Sequence, residues 1–102
     1  MFGLIVKITA VPGKRAELIR IIKQSASDMP GCLSYVVAKD AAKENTLWVT
    51  EVWDSAASHD ASLLLPAVKD AVSQTKAIVA SFERVAVTNP EWGVGLERAQ
   101  VR

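Results

Sequence analysis

The hydrophobic and polar positions of the chain repeat with two different periods. In residues 2–11 apolar side chains recur at every second position, which is the period of a β-strand. One face of this strand would carry Phe2, Leu4, Val6, Ile8 and Ala10. Residues 14–28 place their apolar side chains at helical spacing instead, and Pro12-Gly13 separates the two patterns. The chain is therefore predicted to begin with a strand and an amphipathic helix.

The same alternation continues to residue 89. Strands are predicted at 32–40 and 46–54, and the short connection between them indicates an antiparallel hairpin. Helical patterns follow at 55–63 and 66–80, before a last strand at 81–89. The order β-α-β-β-α-β predicts an α+β, ferredoxin-like fold, in which a four-stranded antiparallel sheet carries its helices on one face.

The strands are apolar on both faces. Residues 46–54 carry Leu47, Val49, Glu51 and Trp53 on one side, and Trp48, Thr50 and Val52 on the other. Helices on one side would leave the second face exposed, and apolar patches of that size usually mark an interface. Because two sheets can bury such faces by packing against each other, we predict a homodimer.

Length and composition fit one domain. The 102 residues, half of them hydrophobic, are enough for one core and too few for two ordinary domains. We expect a single domain over 1–102, with a core at 1–89 and a C-terminal tail at 90–102. Trp92 in this tail is expected to contact the partner subunit.

Charge and targeting signals exclude several classes of protein. Twelve basic residues balance eleven acidic ones without a basic stripe, so no nucleic-acid partner is expected. No apolar stretch approaches the ~20 residues of a membrane span, and the N-terminus lacks the features of a signal peptide. The lone Cys32 suits a reducing compartment, so we expect a cytoplasmic protein with no membrane partner.

The only histidine, His59, lies in "EVWDSAASHD", where a strand passes into a helix. Such a crossing lies at the mouth of the space between sheet and helices, where pockets form. An imidazole exchanges protons readily near neutral pH, so His59 is a candidate acid/base group. The alternative is that His59 is a half-exposed helical residue with no catalytic role. Asp60 follows about 100° further round the helix and is not expected to orient the ring.

Other chemistries have weaker signals. One histidine and one cysteine far apart do not make a metal site, and "GVG" at 93–95 lacks the rest of a dinucleotide fingerprint. We therefore expect no metal and no cofactor. Without a "GxSxG" turn, a serine hydrolase is also disfavoured. Glu51 lies among apolar neighbours and, if buried, must be paired or protonated. An inter-subunit ion pair and a perturbed acid are both open, and we favour a structural role.

Three stretches, "VKITAVPGKRAEL", "PGCLSYVV" and "TLWVTEVWDSAASHDASLLLPAVKDAV", resemble the antibiotic biosynthesis monooxygenase family. The likeness extends from about Phe2 to Asn89 and is greatest to the quinol monooxygenase branch. It implies a dimeric α/β-barrel, often with exchanged C-terminal segments. It also implies a cofactor-free oxidation by O2 of a small aromatic substrate, a quinol or polyphenol, bound between sheet and helices.

The resemblance also implies roles for particular residues. His59 would be the general base and Trp53 would form a wall of the substrate pocket. Ser62 occupies the position where many relatives carry a histidine, so it would contact the substrate. The residues that haem-degrading relatives use are replaced here by Val6, Ser62 and Val72, which disfavours haem as a substrate.

Two alternatives to a monooxygenase stay open at the level of sequence. The same dimeric barrel could bind a small molecule without turnover. It could also serve an isomerase or a lyase.

Overall fold

The structure is a computed structural model that describes residues 1–96; the remainder of the predicted tail, 97–102, lies outside the described residues. Four strands form one antiparallel sheet in the order β2-β3-β1-β4. They are β1 (Phe2–Ala10), β2 (Cys32–Lys39), β3 (Thr46–Trp53) and β4 (Val79–Thr88). β1 and β3 form the middle of the sheet, and β2 and β4 form its edges.

Three helices complete the order β-α-β-β-α-α-β. They are α1 (Arg15–Ser25), α2 (Ala56–Ser62) and α3 (Pro66–Thr75). The α+β ferredoxin-like fold predicted from the sequence is confirmed, and its second crossover contains two short helices. α3 ends five residues before the predicted boundary. Ile78 closes a turn onto Thr75, and Val79 already pairs with Ala10 as the first residue of β4.

The core lies between the helices and one face of the sheet. The predicted inner face of β1 is confirmed, because Leu4, Val6, Ile8 and Ala10 are all buried. Leu47, Val49 and Trp53 of β3 are buried on the same side, and α1 adds Leu18 and Ile21. Burial of these apolar side chains is the main favourable term in folding the domain.

The start of α2 is fixed by local contacts. Ser55 is the N-cap, and its Oγ accepts a hydrogen bond from the Ser58 backbone N–H at 3.1 Å. Gly31, in the turn before β2, has a φ of +84°, a left-handed conformation that favours glycine. Its carbonyl accepts a hydrogen bond from the Asp54 N–H at 2.9 Å. The turn before β2 therefore fixes the point at which α2 leaves the sheet.

The second face of the sheet has no helical cover. Ile5, Trp48 and Val52 are half-buried on this open face, and Val36 is 51% exposed. Thr50 lies at its centre, paired with Ile5 on one side and Val36 on the other. The homodimer that would cover this face stays a prediction.

None of the helices within residues 1–96 is both long enough and apolar enough to cross a membrane.

Candidate functional site

A cavity of about 580 Å³ lies between the inner face of the sheet and the helices. Its sheet side includes Leu4, Val6, Ile8 and Val49, and all three helices contribute to its other walls. Small-molecule sites typically measure about 300–1,000 Å³ and combine apolar walls with a few polar groups. His59, Trp53 and Ser62, the three site residues predicted from the sequence, all lie on the wall of this one cavity.

His59 is buried in α2, with 6% of its surface exposed. Its ring centroid lies 5.3 Å from that of Phe2 and 5.6 Å from that of Trp53, whose ring it meets edge-on. Its Nδ1 lies 3.2 Å from Oδ1 of Asp60. The expectation that Asp60 would not orient the imidazole was therefore wrong. The Asp60 side chain, although it points to solvent, bends back to the ring of the neighbouring residue.

Trp53 connects the histidine to a carboxyl group. The indole Nε1–H donates to Oε1 of Glu51 at 2.9 Å, and the Trp53 side chain is almost fully buried. Burial raises the pKa of Glu51, whereas the Trp53 hydrogen bond and the nearby charges of His59 and Arg84 act in the opposite direction. Within the described chain, Glu51 is therefore paired with an indole, and its carboxyl lines the cavity.

The Ser62 hydroxyl already donates a hydrogen bond within the protein. Its Oγ–H donates to the His59 carbonyl oxygen at 2.6 Å, and its side chain is buried. Because the hydroxyl proton is already used, Ser62 can contact a ligand only as a hydrogen-bond acceptor.

Sequence reasoning missed further polar residues of the cavity wall, among them Tyr35 and Arg84. Tyr35 of β2 stands directly opposite Glu51 of β3, and Arg84 projects from the edge strand β4. Burial, followed by the negative charges of Glu51 and Cys32, raises the pKa of the Tyr35 phenol. The alternation along β3 did place Glu51 beside Trp53. The partners of Glu51 depend on strand register, and both β2 and β4 contain register shifts that the sequence pattern does not reveal.

Within residues 1–96, no three His, Cys, Asp or Glu side chains come together in a group that could hold a metal ion. The polar groups of the cavity can instead accept, donate and transfer protons.

Comparison with known proteins identifies the family. The model of the antibiotic biosynthesis monooxygenase family matches residues 1–74. A solved structure of a candidate antibiotic biosynthesis monooxygenase from Chloroflexus aurantiacus is 48% identical, with a TM-score of 0.89 over 93% of this chain and 97% of that chain. A second such candidate, from Deinococcus radiodurans, is 27% identical, with a TM-score of 0.73 over 91% of this chain and 93% of that chain.

A more distant structure shares the fold. It is a variant of SnoaB, a cofactor-independent oxygenase from Streptomyces nogalater, with 16% identity and a TM-score of 0.76 over 91% of this chain and 95% of that chain. No curated protein matches the chain. The family model covers more than half of the sequence, and the Chloroflexus structure agrees with it along nearly the whole length. The chain therefore belongs to the antibiotic biosynthesis monooxygenase family.

Proposed function

We propose that this protein is a cofactor-independent monooxygenase that oxidises a quinol or a related aromatic compound with O2. The observation that carries the proposal is the composition of the cavity wall. An apolar space of about 580 Å³ holds His59, Glu51 and Tyr35, three groups that can handle protons, in a fold of the monooxygenase family. An apolar wall suits an aromatic ring, and the polar groups suit its hydroxyls.

The reaction draws all of its electrons from the substrate. A hydroquinone and O2 give a hydroxyquinone and water, so that one oxygen atom enters the ring and the other leaves as water. Removal of a phenolic proton makes the ring electron-rich enough to reduce O2. His59 is the proposed general base for this step, because it lines the cavity and its Nδ1 faces the Asp60 carboxylate.

The other predicted residues would position the substrate. Trp53 presents a rigid aromatic surface on the same wall as His59, and Ser62 offers a hydrogen-bond acceptor beside it. In the proposed reaction, the apolar wall would limit the access of water to a reactive carbanion-like intermediate. The absence of a cofactor in the proposal is supported by SnoaB, a protein of the same fold that is described as cofactor-independent.

We also propose that the functional unit is a homodimer. The half-buried Ile5, Trp48 and Val52 and the exposed Val36 give the open face of the sheet an apolar character. Trp92, 71% exposed at the start of the tail, is proposed to pack on the partner subunit.

Oxygen consumption with substituted hydroquinones in metal-depleted buffer tests the proposed reaction. We expect enzyme-dependent uptake above the rate of autoxidation, and a fall in kcat/KM of about 100-fold or more in His59→Gln and His59→Ala. Ala57→Ser is the matched control, because Ala57 is exposed on the same helix and is not on the cavity wall. Turnover that is unchanged in both folded His59 variants would remove His59 from the mechanism.

The same samples distinguish the alternatives. Ligand-dependent stabilisation without oxygen uptake would identify a binding module, and a product formed under nitrogen would identify an isomerase or lyase.

A further inference from the structure

We propose that Glu51 and Tyr35 form a hydroxyl-binding subsite on the sheet side of the cavity, which holds an aromatic ligand by one phenolic O–H group. The ligand class is a phenol or hydroquinone with a free hydroxyl, as opposed to its aryl ether. This inference rests on the proposed function, because it takes the same cavity as the substrate site.

Glu51 occupies an unusual place for a carboxylate. Among residues 1–96 it is the only acidic side chain on the cavity wall, and it lies on the central strand β3 between the buried Val49 and Trp53. Its neighbour on β1 is the buried Leu4. A carboxyl in such surroundings is costly unless it is hydrogen-bonded, and its persistence there calls for a partner.

The partner of Glu51 within the chain uses only part of the hydrogen-bond acceptor capacity of the carboxyl group. Trp53 Nε1 donates to Oε1, and Glu51 makes no other side-chain hydrogen bond within residues 1–96. The charges of His59 and Arg84 act on Glu51, but neither side chain forms an ion pair with it in the described chain. An ionised carboxylate can accept about four hydrogen bonds, so Glu51 keeps acceptor capacity for a donor in the cavity.

Tyr35 provides the complementary donor. It stands opposite Glu51 in the β2–β3 register, where the Cβ atoms of such pairs are about 4.5–5.5 Å apart, and it lines the same cavity. Its phenolic oxygen makes no hydrogen bond within residues 1–96. Burial and the charge of Glu51 raise the pKa of Tyr35, so its hydroxyl stays protonated and able to donate.

Together the two groups match a phenol and discriminate against an ether. The ligand O–H donates to Glu51, and the ligand oxygen accepts from the Tyr35 O–H. An aryl methyl ether can accept from Tyr35 but gives the half-buried Glu51 carboxylate no second donor beside Trp53 Nε1. A site with a desolvated polar group strongly rejects a ligand that lacks the hydrogen-bond partner for that group.

Anaerobic titration calorimetry tests the subsite without reference to turnover. The probes are 1,4-naphthalenediol and 1,4-dimethoxynaphthalene, which differ in the hydroxyl hydrogens and the methyl groups. We expect the wild-type protein to bind the diol at least about 10-fold more tightly than the diether, as a hydrogen bond to a charged group allows.

Glu51→Gln is the decisive variant. The glutamine oxygen can still accept from Trp53 Nε1, so the packing is kept, whereas the amide nitrogen cannot accept from a phenol. We expect the affinity for the diol to fall about 10-fold or more, with diether binding changed by less than about 2-fold. Tyr35→Phe should weaken both ligands, because both oxygens accept from Tyr35. Glu44→Gln, the same change at an exposed turn residue, is the matched control.

The outcomes separate this inference from the proposed reaction. Equal binding of diol and diether by the wild type, no binding of the diol, or an unchanged diol affinity in folded Glu51→Gln would each overturn the subsite. Discrimination that depends on Glu51, together with no oxygen uptake under air, would support the subsite and reject the monooxygenase.

Discussion

At the scale of single residues, Trp53 links the two groups on which the proposed chemistry depends. Its indole N–H donates to Glu51, and its ring meets His59 edge-on. Because Trp53 is almost fully buried, its orientation is fixed by packing, and it holds both side chains relative to the cavity. A phenylalanine would keep most of the apolar contact but would leave the Glu51 carboxyl without its donor.

The raised pKa of Glu51 predicts how stability depends on pH. When the folded-state pKa lies above the ordinary value of 4.5, the contribution is fully present below that value and is lost as pH rises through the folded pKa. We therefore expect Tm of the wild type to fall relative to Glu51→Gln as pH rises from about 4 towards neutrality. Thermal unfolding of both proteins across this range measures the difference.

The charged and titratable groups around Glu51 are the same in both proteins. Tyr35 and Cys32 on β2 stay protonated over this pH range, because burial and the charge of Glu51 raise the pKa of both. The charges of His59 on α2 and Arg84 on β4 act on Glu51 itself, so their effect is part of the difference between the two curves. Glu44→Gln removes a carboxyl from an exposed turn and serves as the control. Parallel Tm curves for the wild type and Glu51→Gln would show that burial does not penalise the Glu51 carboxylate.

At the scale of elements, the sequence predicts which side chains of a strand share a face, but it does not predict how neighbouring strands pair. The two-residue period placed Val49, Glu51 and Trp53 on one face, which is the face that lines the cavity. Tyr35 meets Glu51 only after an irregularity between Cys32 and Ser34 shifts the pairing. A bulge moves every later side chain relative to its partner strand, and its position depends on the folded sheet.

The seating of α2 shows a second limit of sequence reasoning. The Ser55 N-cap and the position of His59 on a helix are set by local residues. The burial of the His59 side chain depends on how closely α2 approaches the turn before β2. A Cβ added to Gly31 would lie 2.6 Å from Ser58 Cβ and 2.8 Å from Asp54 Oδ1, so this approach requires a glycine.

Gly31→Ala is therefore expected to displace α2. The methyl group would clash with Ser58, and the left-handed backbone at φ +84° adds strain, so we expect a loss of roughly 1–3 kcal/mol in the free energy of unfolding. Because α2 carries His59 against Trp53, near-ultraviolet circular dichroism should also change. Denaturant unfolding measures the loss of stability.

Gly13→Ala is the control for backbone strain. Gly13 has a similar φ of +82°, but an added Cβ would meet nothing within 4 Å. We expect this variant to lose about 1–2 kcal/mol from strain alone and to keep the native aromatic spectrum. Equal losses and equal spectra in the two variants would contradict a steric role for Gly31.

At the scale of the whole molecule, the two faces of the sheet have different proposed tasks. The inner face, with the helices, encloses the cavity and its polar groups. The open face carries Ile5, Trp48 and Val52 without helical cover. Pairing of two open faces would bury apolar surface while leaving both cavities on the outer sides of the sheets, so assembly and ligand binding could be altered separately.

Thr50→Arg tests this separation. Thr50 is exposed at the centre of the open face, between Ile5 and Val36, so an arginine there costs the isolated subunit little. In a symmetric dimer the change would place one uncompensated charge from each subunit in the apolar interface. We expect light scattering coupled to size exclusion to give twice the chain mass for the wild type and the chain mass for Thr50→Arg, with unchanged circular dichroism. Ala67→Arg, which adds the same charge on the exposed side of α3 away from the cavity wall, should remain dimeric. A monomeric wild type would refute the proposed dimer, and a dimer that persists in Thr50→Arg would assign the interface to a surface other than the open face.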